Sequence, residues 1–291
     1  MFTHSSEPPK LPSRTVVIGA HGFVGAAIVG ELTRVGATVI GVTRKDVDLL
    51  ADNASVDLAS LLRPDDAVVF VSAIAPARNA SMLIANLRMA ETLIKALTEN
   101  PVAHFVYISS DAVYADDANP VTERSVCQPS SHHGMMHASR ELLLRNEVKS
   151  PIAILRPSLL YGTKDPHNGY GPNRFRRLSG KGQPITLFGN GEEMRDHVHI
   201  DDVARIVTAV LMHRSAGTLN IATGISTSFR QVAEMINVVS KKPVTINCTP
   251  RQNPILHRHF DIAGCLKAFP SFHYVPLIDG LAKVAAESEG N

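Results

Sequence analysis

The chain has 291 residues, 44% of them hydrophobic, with 29 Lys and Arg against 27 Asp and Glu for a net charge of +2. That length buries one large core or two smaller ones, and the charge balance leaves no electrostatic footprint for nucleic acid or an anionic membrane. Three scattered cysteines, Cys127, Cys248 and Cys265, form neither a disulfide framework nor a zinc pattern. No apolar run reaches membrane-spanning length, so the expectation is a cytoplasmic enzyme or binding protein.

Residues 1–14 are polar and proline-containing with no apolar segment, and read as a flexible lead rather than a signal peptide. Thr15-Val-Val-Ile18 is then a β-branched strand that breaks at Gly19-Ala-His21-Gly22-Phe23-Val24-Gly25. Val24, Ala27, Ile28, Leu32 and Val35 recur at helical spacing behind it. A glycine turn between strand and helix lets the backbone approach a pyrophosphate and aims helix N–H groups at its charge, which makes this stretch a candidate dinucleotide site.

Further strands are predicted at Thr38–Val42, Ala67–Val71, Ala103–Ser109 and Ile152–Leu155. Helices fall between them at Ser81–Thr98, with Leu83, Leu87, Ala90, Ile94 and Leu97 on one face, and at about His133–Lys149, stopped by Pro151. Alternating strands and helices imply a parallel, doubly wound α/β sheet with right-handed crossovers. The glycine-, proline- and arginine-rich stretch Pro166–Gly191 reads as a mobile ligand-covering segment. Helix at Asp201–Met212, strand at Thr218–Ala222 and helix near Phe229–Val239 follow. Residues 15–165 and 198–224 are expected to form the dinucleotide-binding domain. Residues 166–197 and 225–291 are expected to form a smaller C-terminal substrate-binding lobe.

Several stretches fit one family together. They are Gly19-x-x-Gly22-Phe-x-Gly25, Tyr107-Ile-Ser-Ser110-Asp111-Ala-Val-Tyr114 and Leu155-Arg-Pro157-Ser158-Leu-Leu-Tyr161-Gly162. Phe188-Gly-Asn-Gly-Glu-Glu-Met-Arg195-Asp-His-Val-His-Ile-Asp-Asp202 and Gly217-Thr-Leu-Asn220-Ile-Ala-Thr-Gly224 continue the order. The chain resembles the extended short-chain dehydrogenase/reductase family of nucleotide-sugar epimerases, dehydratases and 4-keto reductases. The resemblance implies a Rossmann sheet, a nicotinamide cofactor, and a homodimer joined through the helices at Ser81–Thr98 and His133–Lys149.

The family carries a Tyr-x-x-x-Lys pair on the helix after the Ser-Ser strand, where the tyrosine exchanges the substrate proton and the lysine holds the cofactor ribose. Aligned on Pro129 and Gly134, this chain has His133 for the tyrosine and His137 for the lysine. Three readings of the pair stand. His133 transfers the proton, since histidine titrates near neutrality without a neighbouring cation, while His137 one turn on meets the ribose or orients His133. Alternatively the chain only binds nucleotide or sugar, or the pair at i, i+4 ligates a metal, although no third ligand follows by spacing. Ser110 matches the family residue that bonds the reacting oxygen, and Asp111 either relays a proton or starts a turn.

The resemblance also places Asp48 and Leu49 at the adenine, Ser72 and Ala73 along the cofactor, and Pro157 and Ser158 beside the nicotinamide. Val42-Thr43-Arg44-Lys45 ends the second strand with a cation where a carboxylate would favour NAD, so NADP is preferred over NAD. Asn173, Arg174, Arg195 and Arg258 are the candidate substrate contacts, because arginine forks suit the diphosphate of a nucleoside-diphosphate sugar or similar phosphorylated molecule. Tyr114, Tyr161, His197 and His199 read as packing or pocket residues. The expected activity is that of a nucleotide-sugar epimerase or 4-keto reductase, with a non-catalytic nucleotide-binding protein of the same fold as the alternative.

Overall fold

The computed structural model describes residues 2–289. Strand β1 (Thr15–Ile18) lies between β2 (Val39–Val42) and β3 (Ala67–Phe70), and β4 (His104–Ile108), β5 (Ile152–Pro157) and β9 (Gly217–Ile221) extend the sheet beyond β3. Every pairing in this β2-β1-β3-β4-β5-β9 sheet is parallel. β1, β3 and β4 are buried along their whole length, as their unbroken apolar runs require when helices cover both faces.

Helices α2 (Ala54–Leu61), α3 (Ala80–Glu99) and α4 (His132–Glu147) cover one face, where Phe70, Leu93, Phe105 and Leu144 meet in a common core. On the other, α1 (Phe23–Arg34) and α6 (Ile200–Met212) bring Ile28, Leu32, Val203 and Val207 against Val17, Val69 and Leu155. Ser131 starts α4 by accepting from Gly134 N at 3.1 Å, and Asn79 starts α3 by accepting from Met82 N at 2.9 Å. The expected boundaries of β1 and of α7 (Phe229–Val239) coincide with the observed ones, and those of the other predicted elements shift by one or two residues.

A third apolar cluster joins Tyr161, Phe175, Leu187, Phe229, Ile236 and Leu281. It lies among β6 (Leu159–Tyr161), α5 (Pro172–Gly180), β7 (Ile185–Phe188), α7 and α9 (Leu277–Glu289). β8 (Met194–His199) pairs with β6 and with β10 (Ser226–Ser228), while β11 (Ile246–Thr249) pairs with β7, and α8 (Ala263–Ala268) packs near β9.

The stretch Pro166–Gly191 contains α5 and β7. Pro172 supplies the first turn of α5 and Phe175 is fully buried, while arginines outside that apolar anchor masked the helix. Described residues of the lead bond to the fold. Thr3 exchanges backbone hydrogen bonds with Ala216 (2.9 Å each), and His4 bonds Ser215 Oγ and the Ala268 carbonyl at 2.8 and 2.9 Å. Among the described residues no helix is long and apolar enough to cross a membrane.

Buried histidines give the fold a pH dependence. His104 bonds the Ser215 carbonyl through Nε2 at 2.7 Å, yet burial pushes its pKa down to about 4, and burial takes His197 to about 3. Both are neutral in the fold and accept a proton once it opens, so below pH 6.5 the unfolded chain binds more protons. This contribution to stability is complete above pH 6.5 and declines as pH falls toward about 4. Urea midpoints measured across that range should drop with acidification, and less so in His104→Gln.

Candidate active site

The sheet order reverses at β1, and the crevice between the carboxyl ends of β1 and β3 is where a doubly wound sheet binds its ligand. Gly19 turns out of β1 with φ +100°, and a Cβ there would lie 2.7 Å from Ser72 N at the end of β3. A Cβ on Gly25 would lie 2.1 Å from the Gly19 carbonyl oxygen, so the first turn of α1 can sit on the loop only without a side chain. Gly22 caps α1 with no side-chain hydrogen bond, and no acidic residue occupies the first turn. Those N–H groups are therefore free of protein anions and suit the pyrophosphate of a dinucleotide.

From this turn a cleft of about 770 Å³ runs along the sheet's carboxyl edge. Gly19, His21, Gly22, Phe23 and Val24 line one end of it, with Arg44, Asp48 and Leu49 close by. Ser72, Ala73, Pro157 and Ser158 line its middle, and Ser110, Asp111, His133 and His137 meet there. Gly25 lies behind the wall as a packing residue, and Asn173 lines the cleft from α5. The Asn173 amide is engaged within the fold, accepting from Gly162 N at 3.1 Å and donating to the Leu160 carbonyl at 3.0 Å.

Arginines 174, 195 and 258 do not line this cleft. Arg174 is exposed on α5. Arg195 pairs with Glu193 at 2.5 Å and donates to the Leu256 carbonyl. Arg258 is buried, donating to the carbonyls of Asp111 (2.9 Å) and Ala115 (3.1 Å), and its charge lies 3.7 Å from the Asp111 carboxylate. Spacing alone could not show that protein oxygens occupy these forks.

The position of His133 follows from the start of α4. A Cβ on Gly134 would lie 2.0 Å from the Ala112 carbonyl, so the helix start packs directly on the 3-10 turn at Asp111–Val113. Ser110 opens that turn, its Oγ accepting from Ala112 N at 3.1 Å and lying 3.4 Å from Asp111 Oδ1. Burial pushes the Asp111 carboxyl pKa up, against the pull of Arg258 and Arg195. Asp111 thereby gains acid character beside the serine.

His133 and His137 stack edge to face with ring centroids 4.7 Å apart. His133 Nδ1 is buried without a partner, and His137 Nδ1 meets the Tyr107 hydroxyl at 2.7 Å. Burial lowers both histidine pKa values, assisted by His167 and Arg140 at His133 and by His133 and Arg140 at His137. Both rings are therefore neutral at neutral pH, which suits a proton acceptor. Among the described residues no group of three His, Cys, Asp or Glu side chains is placed to hold a metal.

Tyr114 donates to Asn220 Oδ1 at 2.6 Å beneath the Arg156 guanidinium, and Tyr161 packs on His199. His197 is buried against Phe229. All four of these side chains serve packing. The sequence reading missed His167 and Asp165, which line the cleft from the segment before α5, and Tyr107 and Arg140, which lie under the histidine pair. His167 carried no spacing signal, and a tyrosine or arginine inside a motif does not reveal burial.

The sequence model of the NAD dependent epimerase/dehydratase family matches residues 15–222. An uncharacterized UDP-glucose epimerase of Bacillus subtilis, YtcB, is 26% identical over 268 residues, covering 80% of this chain and 84% of the relative. A dTDP-4-dehydro-6-deoxy-D-allose reductase of Streptomyces bikiniensis is 24% identical over 278 residues, covering 81% and 84%. The structure of UDP-glucuronic acid 4-epimerase from Bacillus cereus, in complex with UDP-glucuronic acid and NAD, is similar with a TM-score of 0.82. It is 23% identical and the match covers 95% of this chain and 99% of that one, a likeness that carries the fold.

The glycine turn is testable without a substrate. Gly25→Ala should keep the helical content by circular dichroism yet weaken NADH binding, followed by its fluorescence, by about tenfold or more, equivalent to at least about 1.4 kcal/mol. Unchanged affinity would remove the turn from the binding site.

Proposed function

The chain belongs to the NAD dependent epimerase/dehydratase family, and on that premise we propose that it is an NAD(P)-dependent nucleotide-sugar epimerase or 4-keto reductase with a histidine in the proton-transfer role. One observation carries the reading: a single cleft joins the uncapped α1 terminus to Ser110, Asp111, His133 and His137. A nicotinamide bound there supplies hydride chemistry. The protein's part is to hold the sugar against it and move one proton. His133 accepts that proton, Ser110 hydrogen-bonds the reacting oxygen, and Asp111, with its raised pKa, donates or relays.

The substrate reading follows the relatives, one named for a UDP-sugar and one for a dTDP-sugar. Arg195 and Arg258 suit the diphosphate if their present bonds to Leu256, Asp111 and Ala115 are exchanged for phosphate oxygens. Arg44 supports NADP. Its side chain is 82% exposed at the cleft and its guanidinium pairs with Asp48, with Nε and a terminal nitrogen 3.1 and 3.0 Å from Oδ2. A 2′-phosphate can take over that pairing. The dimer reading is supported by Ile84 on α3 and by Met135 and Leu142 on α4, all exposed on adjoining helices.

A panel of UDP- and dTDP-sugars, screened with NAD+, NADH, NADP+ and NADPH for thermal stabilisation and then for turnover, tests this function directly. Arg44→Ala should raise KM for NADP(H) by about tenfold and leave KM for NAD(H) within about twofold, since one charge-assisted pair contributes about 1.5–3 kcal/mol at most. Equal effects would remove the NADP preference.

His133→Ala should lower kcat by about 10²–10⁴ with cofactor binding retained, the range of a lost general base. In the unaltered protein kcat/KM should rise on an acidic limb with its midpoint below 6.5, because burial holds His133 under that value. Full turnover in His133→Ala would exclude His133, and cofactor binding without turnover of any sugar would favour a binding protein.

A further inference from the structure

A polar group lies directly under the histidine pair. Tyr107 on β4 is 1% exposed, and its hydroxyl meets His137 Nδ1. Arg140, one turn beyond His137 on α4, is equally buried. Its guanidinium donates to the carbonyls of Asn86 (2.9 and 2.8 Å) and Ser72 (2.8 Å) and to Asn86 Oδ1 (3.0 Å), and it lies 4.9 Å over the Phe70 ring. These oxygens are neutral, so the charge is solvated but not cancelled. It acts at short range on Tyr107, His137 and His133.

We propose that Tyr107 is a positioning residue: backed by Arg140, it donates a hydrogen bond to His137 Nδ1 and holds His137 as the neutral Nε2–H tautomer, presenting a donor to the cleft. The direction of that bond follows from the partners. Among the described residues His137 Nδ1 is the recorded hydrogen-bond partner of the buried Tyr107 hydroxyl, so its hydrogen turns toward Nδ1. The reverse arrangement would put a proton on Nδ1 and leave the tyrosine hydrogen without an acceptor in a dry core.

An imidazolium is disfavoured as well. It would lie in a buried site beside Arg140 and edge to face with His133, itself near His167. Glu141 is the carboxylate one turn along the same helix, but Ser109, Arg145 and Arg156 already engage both of its oxygens. With Nδ1 taken and the ring lining the cleft, Nε2–H is the edge left to a ligand. Its acceptor in the working protein is a ribose hydroxyl of the dinucleotide, a point that rests on the cofactor reading above. The tautomer itself does not depend on that reading.

Nitrogen-15 NMR of the whole protein tests this, with the His137 resonances assigned by their loss in His137→Gln. The expected spectrum has Nδ1 unprotonated and Nε2 protonated, unchanged as pH is lowered through 6.5. In Tyr107→Phe, which keeps the ring volume, the tautomer should become mixed, and KM for the dinucleotide should rise about three- to tenfold, the size of one hydrogen bond, with kcat less affected. A protonated Nδ1 in the unaltered protein, or an unchanged tautomer in a folded Tyr107→Phe, overturns the proposal. An intact Nε2–H signature with no affinity for any nicotinamide dinucleotide would instead overturn the cofactor reading alone.

Discussion

The active end of this molecule depends on one buried carboxylate. Glu141, 2% exposed, accepts from Arg156 through Nε at 2.8 Å and a terminal nitrogen at 2.5 Å, from Ser109 Oγ at 2.6 Å and from Arg145 at 3.0 Å. Ser109 follows β4 immediately before Ser110, Arg156 is the last-but-one residue of β5 before Pro157 and Ser158, and Glu141 is one turn from His137. One ionic centre thus sets the distance between the two strand ends and the helix that bears the histidines. Pairs of this kind add little net stability over an apolar substitute, but removing one partner costs about 3–5 kcal/mol, so they specify geometry.

Above this centre the site is arranged by exclusion of charge. Arg140 gives the floor a cation that no carboxylate among its hydrogen-bond partners cancels, and burial with that cation keeps His133 and His137 neutral. The family pattern places a tyrosine and a lysine at these two helix positions, facing the cleft together. Here the cation lies one turn further along α4 and under the surface, a tyrosine lies on β4, and imidazoles line the cleft. A neutral imidazole needs no neighbouring charge to act as a base near neutrality.

The sheet was legible because its strands are buried on both faces. Thr15–Ile18 and Ala67–Phe70 are apolar runs bounded by turn residues, and α3 shows an apolar stripe over five turns. α2 has only Ala54, Leu58 and Ala59 buried, and β6 is three residues long, so neither offers enough repeats for a period to emerge. α5 is hidden for a different reason: its arginines dominate the composition, and Phe175 and Leu178 are its large apolar side chains against the core. Of the cleft lining, the glycine turn and the histidines at 133 and 137 were readable by position. The occupied state of Arg195 and Arg258 was not, since their partners Leu256, Asp111 and Ala115 are backbone carbonyls.

What the amino-acid sequence determined alone is local. It includes the strand–glycine–helix unit at 15–35, the alternation that builds a parallel sheet, and the presence of histidines at 133 and 137. Each rests on neighbours within one or two turns of chain, where periodicity and steric preference act. The tertiary structure decided which groups surround those histidines. Tyr107 and Arg156 come from strands 30 and 15 residues away from their partners His137 and Glu141, and Asn86 lies 54 residues from Arg140. Protonation state is set by desolvation and by charges across such distances in sequence, and neither exists until the sheet and α4 have packed together.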